Sequence, residues 1–407
     1  METTHKKSFW AALAVAFLDN FGLSVVFILF APLILNPQYG FFPASVSEGT
    51  KNILLGILVG VFPLLTFFSA PFWGDAGDRW GRKKALLLSL LGTVFGHLIT
   101  AVAIWMESYV FLLVARAVAG LFSGNISICL ATVSDVSPDA KSKARNFGIM
   151  MVCMGVGWIS AMLLGGYLSD PTLVSFFNPS LPFYLVSALT FIGYILVKIW
   201  FAETHTQHTT VHFDWMKSVH DIKTALMHRE MRPILYTTFM WTLGWYFTFQ
   251  WFTPISLERF HATQEQAASY LFVLGVCWVI GGVFINPLLV KRLSSRSLSL
   301  YSMLFTAVFI FLAGFTENYF LFGLFFWISC LSAPISISNI LNIVSSSATP
   351  GMQGKAMGFS QSFQALAAVL VPFLGGELAN ISVGLIFPLS AILLFVASSL
   401  VYLAKKG

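Results

Sequence analysis

A helix needs about 20 apolar residues to cross a bilayer, and this chain offers twelve such stretches in series. They fall near 9–35, 52–73, 84–105, 109–134, 145–168 and 182–201, then, after a polar interval, near 233–256, 266–290, 298–315, 319–344, 356–378 and 382–403. A bilayer supplies no water to solvate a backbone, so each span must close its own hydrogen bonds. The predicted fold class is therefore all-α integral membrane. Only 10% of the residues are Asp, Glu, Lys or Arg and 57% are hydrophobic, where an average soluble protein is about 25% charged. The first stretch is too long, and too polar at Asp19, for a cleaved signal peptide, and it is read as the first span.

An even number of spans places both termini on one side of the membrane. Of the 23 Lys and Arg residues, Lys51 and Arg259 fall on one side, Arg116 lies inside a span, and the rest fall on the other side. The positive-inside bias then predicts a cytoplasmic (inner) membrane protein with both termini and the middle linker in the cytoplasm. The net charge of +6 is accounted for by this topology and by contact with membrane lipids, and no nucleic-acid partner is expected. Cys129, Cys153, Cys277 and Cys330 lie in apolar segments with no metal or redox spacing and read as small packing hydrophobes. No cofactor and no metal is expected.

The chain repeats itself. Pro138, Lys143, Ala144 and Phe147 recur as Pro350, Lys355, Ala356 and Phe359, and Gly165-Gly166 with Leu168 recur as Gly375-Gly376 with Leu378. These matches predict a parallel duplication: two pseudo-symmetric six-helix bundles, 1–201 and 233–407, joined by a cytoplasmic linker over 202–232. Transporters built this way place their solute between the halves near the midplane. In the linker, Trp215, Val219, Ile222 and Leu226 recur at helical spacing and predict an amphipathic helix. Its histidines, His205, His208, His212, His220 and His228, read as solvated, since no carboxylate or thiol completes a metal site.

Between the second and third spans, residues 74–84 read GDAGDRWGRKK. So much charge belongs in a short aqueous loop, and Gly74, Gly77 and Gly81 permit a tight turn. Asp78 and Arg82 stand four apart and can pair if the segment is helical. This loop resembles that between helices 2 and 3 of the major facilitator superfamily, whose pattern is roughly Gly-x-Leu-x-Asp-Arg-x-Gly-Arg-Lys. Gly74, Asp78, Arg79, Gly81, Arg82 and Lys83 match it, and Ala76 replaces the leucine. Two further stretches resemble the drug/proton antiporter branch, which includes tetracycline exporters: Asp19-Asn20-Phe21-Gly22 followed by Pro32, and Leu112-x-x-x-Arg116-x-x-x-Gly120. The fifth span departs from that branch, carrying Ala161-Met162 where a Gly-Pro pair stands in the antiporters. The resemblance implies that Gly74, Asp78, Arg79, Gly81 and Arg82 form a gate motif bracing the start of helix 11, near Lys355. It also implies that helices 1 and 4 line a central cavity.

Asp19 lies about 15 Å deep in the first span at 1.5 Å per residue. A charge there costs at least about 2.5–3.5 kcal/mol and calls for a partner or water, so a proton-coupling role is expected. Arg116, inside the fourth span, is fixed in its charge and can only pair, polarise or bind an anion; Asp19 and Arg116 together are the expected coupling pair of the cavity. Asn125 follows Arg116 by nine residues, which on one continuous helix sets the two on different faces. Asn20, Asn125, Asn339, Gln361 and Gln364 are candidate cavity residues, as are Trp241, Trp245, Phe249 and Gln250 on an aromatic stripe suited to a bulky solute. Gly244 in that stripe predicts a closely packed neighbouring helix. His97 is expected to be a satisfied histidine.

No HExxH, GxSxG or nucleotide-binding GxxxxGK[ST] pattern is present, so an intramembrane enzyme and an ATP-driven pump are disfavoured. The expected function is secondary active transport of a small organic, amphiphilic solute by a monomer, with protons as coupling ions and efflux as the direction. The alternative is proton-coupled uptake or export of a specific metabolite or a siderophore-like chelate.

Overall fold

The computed structural model describes residues 3–36, 39–43, 45–138, 140–171, 173–204, 214, 216–227, 231–346 and 353–403. Helices α1 (Thr3–Leu35), α2 (Glu48–Trp80) and α3 (Arg82–Trp105) form the first three spans. The fourth is broken into α4 (Tyr109–Leu121) and α5 (Asn125–Asp135), and α6 (Ala140–Leu168) and α7 (Leu181–Trp200) complete the first six. The linker holds α8 (Lys217–Met227). The seventh span is α9 (Arg232–Gln250), followed across Trp251 by a short α10 (Phe252–Phe260). The eighth runs through α11 (Gln264–Val279), a π-helical stretch over Ile280–Ile285 and α12 (Asn286–Val290). Helices α13 (Ser295–Phe315), α14 (Tyr319–Ser346), α15 (Gln353–Ser382) and α16 (Ile386–Leu403) are the remaining four.

This is the expected twelve-span, all-helical membrane fold. Ten described stretches are each long and apolar enough to cross a membrane; the last, Phe359–Tyr402, contains two spans, and the seventh span is missing from the set. Length does not explain the shortfall, since α9 has 19 residues; its Thr, Tyr, Trp and Gly residues, with Arg232 and Gln250 at its ends, dilute its apolar character.

Local chemistry sets the ends. Ser108 caps α4, its hydroxyl accepting from the Phe111 backbone N–H at 3.4 Å, and Thr263 with Gln266 closes a reciprocal capping box on α11. One boundary differs from expectation. The charged residues Asp75 to Arg79 are not loop but the last turns of α2, and the turn is compressed into Gly81. Its φ of +92° is a conformation that glycine alone adopts without strain, and a single such residue suffices to reverse the chain.

Two compact units emerge, residues 1–43 with 61–217, and residues 44–60 with 218–407. In the first, α1 packs along α6 and α7 while α3 lies against α4, α5 and α7. Phe9, Leu13, Trp73, Leu86, Ile128, Met150 and Phe201 fill one core there. In the second, α13 packs with α14 and α16, and α9 with α15 and α16. The early turns of α2 belong to this second unit because Gly56 lets the α15 backbone at Pro372 and Gly376 come closer than a Cβ would permit. Gly244 does the same for α16: a Cβ there would lie 3.0 Å from the Ser390 carbonyl. Of the linker residues singled out from sequence, His220 is exposed on α8, while Trp215, His205, His208, His212 and His228 lie outside the described residues.

Candidate functional site

The break in the fourth span creates the site. Carbonyls released after α4 are taken up by side chains: Ser69 Oγ donates to Gly120 O at 2.8 Å, and Trp73 Nε1 to Leu121 O at 2.8 Å. Asn125 then starts α5 after the break. Asn125, fully buried, donates through Nδ2 to Asp19 Oδ1 at 2.7 Å and to Thr93 Oγ1 at 3.1 Å. Ser89 Oγ lies 2.7 Å from Asn125 Oδ1 and 2.8 Å from Phe122 O, its one proton shared between them. Helices α1, α3 and α5 are thereby tied together around the Asp19 carboxyl.

Asp19 is partly buried, and its open side faces a narrow recess lined also by Leu23, Phe62, Thr93, His97, Arg116, Ala119 and Ser123. The recess has room for about one water. Arg116 is 2% exposed, its guanidinium carbon 4.4 Å from the Phe62 ring centre and 5.4 Å from that of Phe30. Flanking rings at this range are worth about 1–2 kcal/mol to a desolvated cation. Its Nε has no hydrogen-bond partner, and no carboxylate forms a salt bridge with it among the described residues. The two expected coupling residues therefore share one recess without touching. His97 departs from expectation: its Nδ1 is buried without a partner.

Asn20 points away from the recess, its Oδ1 accepting from Trp158 Nε1 at 2.9 Å and its Nδ2 donating to Ala16 O at 2.9 Å. The aromatic stripe lies in the second unit and is packed rather than open. Trp241 stacks on Trp245 at 6.1 Å, Trp245 meets Trp278 at 5.1 Å and Phe326 at 6.4 Å, and Phe249 is buried. Trp241 Nε1 and Gln250 Oε1 are buried there without partners. Asn339 donates to Asn286 Oδ1 at 2.9 Å, Gln364 donates to Ser360 Oγ at 3.2 Å, and Gln361 is exposed.

At the other end of α3, Arg82 is the hub of the charged motif. It meets Asp78 at 2.6 Å and Asp135 of α5 at 3.1 Å, with only 8% of its side chain exposed. The Asp78–Arg82 pair closes across Gly81, so it does not need the continuous helix expected from the spacing. Glu203, just after α7, accepts from the backbone N–H groups of Arg82 at 2.8 Å and Lys83 at 3.2 Å. A carboxylate on the free N–H groups of a helix start complements the helix dipole. Lys217 of α8 reaches Asp75 at 2.6 Å. Gly74 borders open space, Arg79 has partners of its own, and the side chain of Lys355 lies outside the described residues. Glu203, Asp135 and Lys217 escape detection in sequence because they stand 121, 53 and 142 residues from their partners.

A second acidic residue is partly buried outside the spans. Glu258, on α10 beyond the end of the seventh span, is held by the Asn52 side chain, and its Oε1 is buried with no partner. Burial, with a smaller push from Glu48 and against the Asn52 hydrogen bond, raises its pKa from 4.5 to about 7. The folded protein thus holds this proton more tightly than the unfolded chain. Its stabilising contribution is complete below about pH 4.5 and is lost as pH climbs through about 7. Glu258→Gln, a permanent mimic of the protonated form, should therefore lose less thermal stability than the wild type between pH 5 and pH 8. Parallel melting curves in detergent would show the difference, and identical pH slopes would count against it.

The sequence profile of the Major Facilitator Superfamily matches residues 9–372. The chain is 30% identical to "Tetracycline resistance protein, class H" of Pasteurella multocida over 207 residues, which is 50% of the chain and 47% of that protein. It is 24% identical to the class E protein of Escherichia coli over 368 residues, 89% of the chain and 85% of that relative. The class H match thus spans about half of that protein's length, and the class E match most of it. The fold resembles that of the human organic anion transporter MFSD10 (TETRAN), with a TM-score of 0.73, 17% identity, and coverage of 98% and 100% of the two chains.

Proposed function

The chain belongs to the major facilitator superfamily, whose members are transporters and not enzymes, and we propose that it exports a small amphiphilic organic solute in exchange for protons. The observation that carries this reading is the Asp19 carboxyl, held by Asn125 at 2.7 Å on the rim of a recess it shares with an unbridged Arg116. Protonated, Asp19 is neutral and the charge on Arg116 stands alone. Deprotonated, it attracts Arg116 across roughly one water, worth about 3 kcal/mol at an effective dielectric constant of about 20. Loading and release of one proton thus changes the attraction between α1 and α4, as coupling to alternating access requires. The names of the tetracycline resistance relatives support efflux.

In this reading residues 1–201 and 233–407 act as two bundles joined by the cytoplasmic linker 202–232. The protein works as a monomer in the inner membrane with both termini in the cytoplasm. The motif around Arg82 serves as the cytoplasmic gate, and Gln361 with the Trp241–Gln250 stripe contributes to the solute path. A second reading, transport of one specific metabolite or a siderophore-like chelate, is favoured by Ala161 and Met162, both buried in α6 where the antiporter pattern has Gly-Pro.

Protein reconstituted in liposomes with an internal pH dye tests both readings. Tetracycline, other amphiphilic drugs, organic acids and iron chelates are offered under an imposed pH gradient. Protons moving against a drug establish the exporter. Protons moving with a metabolite or chelate transfer support to the second reading, and no proton movement with any transported solute removes the coupling role.

A further inference from the structure

His97 stands on α3 one turn beyond Thr93 and is 5% exposed. Its ring is fixed on two sides. A Cβ on Gly22 of α1 would lie 2.8 Å from its Nε2, and Phe183 of α7 stacks on it with ring centres 6.5 Å apart. The remaining nitrogen, Nδ1, has no partner, and neither has Arg116 Nε. Both residues line the one-water recess onto which Asp19 opens. A buried polar atom without a hydrogen bond is costly, and one water bonded to two to four such groups removes the cost. The charged groups facing His97 are Asp19 on α1 and Arg116 on α4; Phe62 of α2, Phe183 and Val186 of α7, and Ser123 carry no charge. A second positive charge beside Arg116 is unfavourable, so the imidazole acts as a neutral hydrogen-bonding group.

We propose that His97 is a positioning residue of the proton site: its Nδ1 anchors a water that accepts from Arg116 Nε–H and donates to the Asp19 carboxylate. The proposal rests on the reading of Asp19 given above. It uses both of the water's protons and one of its lone pairs, since Arg116 supplies a donor while Asp19 and the unprotonated Nδ1 supply acceptors. It also assigns the tautomer, with the ring proton on Nε2. The water favours the charged form of Asp19, because a hydrogen bond to a carboxylate stabilises it. Without the anchor, Asp19 holds its proton more tightly.

The infrared carboxyl band of Asp19, identified by its loss in Asp19→Asn, can be followed against pH in the detergent-solubilised full chain without any solute. His97→Leu should move its midpoint upward by about one pH unit or more, a gain of about tenfold in proton affinity. His97→Gln, whose carbonyl oxygen can still accept from the water, should restore the wild-type midpoint. An unmoved midpoint in His97→Leu overturns the proposal, as does a shift in His97→Gln equal to that in His97→Leu. Gly22→Ala, which keeps the imidazole but crowds it through Nε2, provides a second variant if His97→Leu does not fold, and an unmoved midpoint there is equally fatal. A wild-type spectrum with no titrating band that Asp19→Asn removes sinks the Asp19 reading itself, and is thereby distinguished from a failure of His97 alone.

Discussion

Asparagine in place of Asp19 should leave a protein that folds, binds and exchanges solute, yet cannot move it uphill. The amide is nearly isosteric with the carboxyl and still offers an oxygen to Asn125 Nδ2, now 2.7 Å from Asp19 Oδ1. Thermal stability should hold or rise, since a buried amide is cheaper than a buried carboxylate. What disappears is the ability to alternate between a neutral and a charged state opposite Arg116. A gradient of two pH units stores about 2.7 kcal/mol per proton, enough to sustain a solute ratio of about 100. In Asp19→Asn vesicles that ratio should relax to unity while exchange of labelled for unlabelled solute continues. Undiminished uphill transport would remove Asp19 from the coupling step, and loss of exchange together with uphill transport would make it a binding residue.

The parts of this molecule legible in sequence are those written in short-range pattern. Span number, the positions of Asp19 and Arg116, and the Asp78–Arg82 pair all follow from local hydropathy and spacing, because a bilayer leaves the backbone few alternatives. Asn125 shows where local pattern fails. Its face depends on whether the fourth span runs straight through Phe122–Gly124, and the break there is secured by Ser69 and Trp73 from another helix, which no local pattern reveals. His97 fails differently: one polar residue in an apolar stretch is usually satisfied, and only packing, with Gly22 against Nε2 and Phe183 against the ring, leaves Nδ1 buried without a partner. Glu203 is ordinary in sequence and becomes a helix cap only because α7 returns its end to the start of α3.

The same dependence on long-range closure makes Arg82→Ala the more damaging change at the charged end. The guanidinium bridges Asp78 and Asp135 at 2.6 and 3.1 Å while only 8% of its side chain is exposed. Its removal leaves two carboxylates without the cation that joins them. Breaking a fully buried pair costs about 3–5 kcal/mol. Here Asp78 and Asp135 retain 39% and 23% exposure, so water recovers part of that and about 2–3 kcal/mol should be lost. Asp78→Ala should cost less, since Asp135 keeps Arg82 in place. Lysine should rescue only in part, because one ammonium cannot reproduce the planar fork that spans both acids. If this cluster is the gate, Arg82→Ala slows turnover by about tenfold or more, equivalent to about 1.4 kcal/mol, with solute affinity little changed, because the closed state loses its brace while the Asp19 recess keeps its own hydrogen bonds. Transport rates and solute affinities measured on the same vesicles decide the matter. Normal turnover with a large loss of affinity would reassign the motif from gating to binding, and a melting temperature equal to that of the wild type would mean that the Asp78–Arg82–Asp135 cluster holds nothing shut.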